Sequence, residues 1–178
     1  SDVYKRQVLS TGIYENKKVL PKAWIVGKIK GVKSQKESLM ETLLRGFDPS
    51  NSAIVLGSNE IDLPTDANGE ANIVSKKENN IEISCKSKTG GLLVLSEIYY
   101  EPGWKAFVDG KETEIYQTNH ILRSVQIPPG NSEVIFKYNS LSWEKTRMLS
   151  RVSLLIILIL LGFSVVKEKR HKKYNETL

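Results

Sequence analysis

Short stretches of β-branched and aromatic residues, separated by turn formers, recur up to about residue 140; an unbroken apolar run follows. Ile81, Ile83 and Cys85 alternate with Glu82, Ser84 and Lys86, so 80–86 reads as a half-buried strand. Leu92 to Tyr100 is nearly continuously apolar, which predicts a central strand covered on both faces. Further strands are expected at 23–30, 53–56, 71–75, 104–108, 111–116, 119–127 and 132–138. Asp109-Gly110 predicts a two-residue hairpin, because both turn positions need positive φ. Gly103, Asp109, Gly110, Pro129 and Gly130 are accordingly assigned to turn geometry. One helix is expected after Ser34, where Ser34 and Glu37 form a capping box. Leu39, Met40, Leu43 and Leu44 give it an apolar face, and a left-handed Gly46 is expected to stop it. The fold class is therefore mainly β, an antiparallel sandwich or jelly-roll-like domain with one short helix. Turn formers from Asp62 to Gly69 divide it into a strand-helix-strand part (19–60) and a sandwich part (68–140).

The apolar run predicts a single transmembrane helix at 147–166. Its nineteen residues from Met148 to Val166 would span about 28 Å, close to the hydrocarbon thickness. Arg151 lies one turn from the start and can snorkel to the headgroups. Lys167, Lys169, Arg170, Lys172 and Lys173 follow the run, and basic flanks favour the cytoplasmic side. The tail at 167–178 is thus expected inside, the domain at 8–146 outside, and Trp143 at the interface. This places the chain in the bacterial cytoplasmic membrane, with the lipid bilayer as its first partner. Residues 1–7 look like a translated adapter tract and are excluded from fold reasoning; the rest looks like the C-terminal piece of a longer protein.

Charge sharpens the picture. The formal net charge is +6, but the excess sits in the tail and at Arg147 and Arg151, leaving the folded part near neutral. A nucleic-acid binder would carry the charge on the domain, so no nucleic-acid partner is expected. Cys85 is the sole cysteine and cannot form an internal disulfide. Two distant histidines offer no metal site, and no phosphate loop, GxSxG or HExxH motif is present, so no cofactor, metal or catalytic residue is assigned.

The run Ser96 to Lys111, which contains Tyr99-Tyr100-Glu101-Pro102-Gly103-Trp104 and Val108-Asp109-Gly110, resembles the end of the YfhO family of bacterial polytopic membrane proteins. Ile127-Pro128-Pro129-Gly130 leading to Phe136-Lys137-Tyr138 resembles a second block of that family, with Asn131-Ser132 where a His often stands. Leu20 to Trp24 and Gly46 to Pro49 resemble two more, so the likeness runs over about 19–166. It implies an outer β-domain and last transmembrane helix of a GT-C type glycosyltransferase acting on lipid-linked sugar and cell-surface polymers. The catalytic acids of such enzymes lie in early outer loops that this sequence does not contain, so the fragment itself is expected to be non-catalytic. Partners implied are upstream transmembrane helices of the parent protein and a lipid-linked sugar or surface glycopolymer.

The alternative is a non-catalytic single-pass module that binds carbohydrate or a protein partner. Hydrophobic spans upstream would favour the first reading, and a signal peptide the second. Under either, aromatic residues around the hairpin can stack on sugar rings or a partner, with polar neighbours bonding hydroxyls. The candidates are Tyr99, Tyr100, Glu101, Trp104, Lys105 and Tyr116. Against this, alternation puts Trp104 on one face with Ala106 and Val108, and small apolar neighbours mark that face as the inner one.

Overall fold

The computed structural model describes residues 6–10, 13–16, 19–57, 67–139 and 141–175. They form two units, one up to Asn139 and one from Ser140 onward.

The first unit is β-rich. A hairpin pairs β1 (Arg6–Ser10) with β2 (Ile13–Asn16). Then come β3 (Ala23–Val26), β4 (Lys28–Val32), α1 (Gln35–Thr42) and β5 (Ser52–Leu56). They are followed by β6 (Gly69–Lys77), β7 (Asn80–Ser87), β8 (Gly91–Ile98), β9 (Trp104–Val108) and β10 (Lys111–Thr113). Last are β11 (Tyr116–Thr118), β12 (Leu122–Ile127) and β13 (Gly130–Tyr138). A five-stranded antiparallel sheet runs β10-β9-β13-β7-β6. A six-stranded sheet runs β3-β8-β12-β11-β5-β4, antiparallel except for the β4/β5 pair. The mainly β, two-sheet architecture is the one expected.

Two apolar clusters hold these sheets. The larger lies between them and joins Ile81, Ile83, Cys85, Ala106, Val134 and Phe136 to Ala23, Ile25, Leu93, Leu95 and Val125. The smaller joins Trp24, Val26, Ala53, Val55, Leu92 and Val94, with Ile29, Tyr116 and Leu122 against it. Every strand of the six-stranded sheet contributes to the smaller cluster, so that sheet curls around it. Strand β8 is the shared wall: Leu93 and Leu95 face one cluster, Leu92 and Val94 the other, all fully buried. Its unbroken apolar pattern has this cause, and each such side chain contributes about 1.5–3 kcal/mol of transfer free energy.

Several boundaries differ from the sequence reading. The stretch 23–30 is two strands, parted at Gly27 and lying at opposite edges of the curled sheet. The stretch 111–116 is also two strands in different sheets, because the chain crosses between sheets at Glu114-Ile115. The stretch 119–127 begins as a strand only at Leu122. Asn119 and His120 have φ of 47° and 70°. Asn119 fills its place by accepting from the Ile54 N–H at 2.9 Å through Oδ1 and donating its own N–H to the Ile54 carbonyl at 2.8 Å. Asn tolerates left-handed backbone better than a branched residue does. The expected loop at 62–69 falls largely outside the described residues.

Helix α1 starts as predicted and ends otherwise. Ser34 Oγ accepts from the Glu37 N–H at 3.2 Å, while Glu37 Oε2 accepts from the Lys33 N–H at 2.9 Å. The C-cap is Leu43 in the right-handed region, and Gly46 does not have positive φ. Leu39, Met40, Leu43 and Leu44 do not face the core: they are exposed, and Ser38 is the buried residue of the helix.

The second unit is the helix α2 (Leu141–Asn175), continuous over the expected 148–166 and extending beyond it through the basic residues. Within it Lys145–Ser164 is long and apolar enough to cross a bilayer, and its apolar side chains are exposed on all faces. A helix apolar all round whose apolar side chains are exposed among the described residues fits a lipid environment.

Candidate functional site

The hairpin region carries a cleft of about 230 Å³. It forms where the chain passes between sheets twice. Residues 99–103 lead from β8 of the six-stranded sheet to β9 of the five-stranded one, and Glu114-Ile115 lead back from β10 to β11. Tyr99, Tyr100, Glu101, Trp104 and Lys105 line one side; Glu112, Thr113, Glu114 and Ile115 line the other. Five of the six sequence candidates therefore meet in one concavity. Tyr116 does not line it and packs instead against the smaller cluster.

Each wall has a local cause. Gly103 has φ +93, a conformation that favours glycine, and a Cβ there would approach the Tyr138 ring to 2.8 Å. That close turn delivers Trp104 to the start of β9. The Trp104 ring lies 5.4 Å from the Tyr138 ring, tilted by 54°, and packs against the larger cluster beside Ala106 and Val108. Trp104 thus belongs to the core with part of its surface and to the cleft with the rest. Lys105 points the other way and donates to both Glu112 carboxylate oxygens, at 2.9 and 3.1 Å, across the hairpin.

The hairpin itself is the predicted one: Asp109 and Gly110 have φ of 50° and 79°, and Lys111 pairs with Val108. Asp109 also fastens the turn to β13. Its N–H donates to the Glu133 carbonyl at 2.9 Å, and its Oδ1 accepts from the Glu133 N–H at 2.8 Å.

The cleft is acidic, with Glu101, Glu112 and Glu114 against Lys105. Burial raises the Tyr99 phenol above its usual pKa, and the charges of Glu101 and Glu114 add to this. Tyr116 is shifted the same way by burial, then by Glu114. Both phenols therefore stay protonated and can donate hydrogen bonds near neutral pH. The other acidic residues near the hairpin do not converge on the cleft: Glu97 pairs with Lys76, and Asp109 with the β13 backbone. Among the described residues no group of His, Cys, Asp and Glu could hold a metal ion.

Arg123 was not among the candidates. It is 4% exposed, and its guanidinium carbon stands 4.2 Å above the Trp104 ring and 5.9 Å from Phe136. Nη2 donates to the Ile98 carbonyl at 2.8 Å. Burial lowers its pKa, and the Glu97 charge works against that shift. The signal was in its phase: Arg123 shares one strand face with Val125 and Ile127, both buried.

Comparison with known families matches residues 65–150 to bacterial membrane protein YfhO, the family the hairpin block resembles. The match takes in the cleft, the hairpin and β13, and does not include 20–24 or 46–49. No curated protein and no solved structure matches the chain.

Proposed function

We propose that this membrane-associated YfhO-type chain is the outer accessory domain of a GT-C type glycosyltransferase, and that it holds sugar near a membrane-embedded catalytic site. The observation that carries this reading is the cleft, which Tyr99, Tyr100 and Trp104 line with aromatic surface beside Glu101, Lys105 and Glu112. Ring faces suit the apolar faces of a pyranose, and the polar groups suit its hydroxyls. The acidic lining disfavours a phosphate-rich backbone, so the sugar of a glycopolymer or lipid-linked donor is the part expected to enter. Holding a substrate raises its effective concentration at the enzyme without any chemistry in the domain. The basic residues after α2's apolar segment favour a cytoplasmic tail and an outer β-domain, as in a bacterial cytoplasmic membrane protein.

The test is calorimetric titration of the full chain in nanodiscs with neutral oligosaccharides and with phosphorylated ones. Neutral sugars should bind weakly and better than phosphorylated ones, and Tyr100→Ala should weaken them at least several-fold. Tyr100 is 54% exposed, so the change should leave folding intact. No binding of either class, or a variant that binds as well as the parent chain, would overturn the reading. Turnover of a lipid-linked sugar by this chain alone would overturn its accessory character.

A further inference from the structure

Helix α1 turns polar residues toward the domain. Ser38 is fully buried, Glu41 and Thr42 are partly buried, and Thr42 Oγ1 donates to the Ser38 carbonyl at 2.7 Å. Glu41 pairs with Lys30 of β4. Leu39, Met40, Leu43 and Leu44 are left 40%, 59%, 70% and 54% exposed. At about 100° per residue Leu39, Met40 and the C-cap Leu43 fall within an arc of roughly 100°, and Leu44 follows just past the cap. A contiguous apolar patch facing water costs about 25 cal/mol for each Å² and marks a contact surface.

The rim of the patch is basic. Lys33, Lys36 and Arg45 are exposed, and Lys36 lies one turn before Met40 within the same arc. Glu37 is engaged at the helix start by the Lys33 N–H, and Glu41 by Lys30. An apolar centre with a basic rim is the pattern of helices that lie in the headgroup layer of an anionic bilayer. The domain and the apolar segment are joined by a short stretch of chain. Strand β13 ends at Tyr138 and the apolar segment of α2 begins at Lys145, so only residues 139–144 intervene.

We propose that α1 is an interfacial foot: Leu39, Met40, Leu43 and Leu44 enter the boundary between headgroups and acyl chains, and Lys33, Lys36 and Arg45 meet anionic headgroups. The inference stands apart from the sugar-binding reading and uses none of the cleft residues.

A nitroxide at Met40→Cys in the full chain, in nanodiscs of phosphatidylcholine with phosphatidylglycerol, tests it directly. Cys85 is buried and leaves the new thiol as the labelling site. A label at Lys111→Cys on the hairpin serves as the solvent control. The Met40 label should relax more with oxygen than with a soluble nickel chelate, the reverse of the control. Leu43→Glu should return it toward the control pattern, and phosphatidylcholine alone should weaken the oxygen preference. A Met40 label as open to nickel as the control would overturn the proposal. So would one shielded from both reagents, which would mean a protein partner. Equal oxygen preference in the two lipids would overturn the role given to the basic rim.

Discussion

Arg123 joins the cleft to the core, because its guanidinium covers the Trp104 ring from the inner side. Arg123→Ala should cost about 2–4 kcal/mol, combining a cavity with the lost bond to the Ile98 carbonyl, read as a lowered urea midpoint. Arg123→Met should cost less, since an apolar side chain of similar length fills the site without a buried charge. Cys85 gives a pH test. Burial, helped by the Asp109 charge, raises its thiol pKa to about 12 from 9.0. Between those values the unfolded chain loses a proton that the folded chain keeps, so the thiol's contribution to stability falls as pH rises through that window. Cys85→Val should flatten the decline in urea midpoint above pH 9 relative to the parent chain; an unchanged decline would assign it to other groups. At this scale the sequence was legible wherever strand phase decides: Trp104, Ala106 and Val108 do share the inner face. Arg123 escaped because charge in a strand is ordinarily taken as a sign of solvent, whereas here an aromatic face and one carbonyl offset only part of its burial, leaving Nε and Nη1 without hydrogen-bond partners among the described residues.

The Asp109-Gly110 hairpin is the element that local sequence determines most fully. A Cβ at Gly110 would meet nothing within 4 Å, so any cost of substitution comes from its φ of +79°. Gly110→Val should therefore lower stability by more than about 1 kcal/mol by chemical denaturation, and Gly110→Ala by less than Val, because branching adds to the strain. The ties between Asp109 and Glu133 could not be read locally, since they depend on β13 docking beside β9. Helix α1 shows the complementary limit. Its start was legible because a capping box is a local event. Ser34→Ala should cost about 0.5–2 kcal/mol for that reason, seen as faster amide exchange at Glu37. Periodicity revealed an apolar stripe on α1 without revealing which way it faces, since direction is set by what the helix packs on. The breaks at Gly27 and after Thr113 were hidden likewise: strand pattern records which residues are buried, not which sheet they join.

At the scale of the molecule, the positions of charge and of apolar residues determine the expected topology. A reporter that functions only after export, fused behind Leu178, should be silent in cells, and the same reporter at the β9–β10 hairpin should be active. The opposite pair of results would invert the orientation argued from Lys167 to Lys173. The curl of the six-stranded sheet has a consequence in time. Strands β3 and β4 are successive in the chain yet sit at opposite edges of that sheet. Strand β4 finds its partner β5 nearby, but Ala23 must wait for Leu95, and Val55 for Thr118. Chain emerging from the N-terminal side therefore cannot close the roll until β8, β11 and β12 have arrived. Such distant pairings place folding in the millisecond-to-second range of β-rich domains, so the arrival of the later strands, rather than local collapse, sets how early the first strands can be sheltered from proteases.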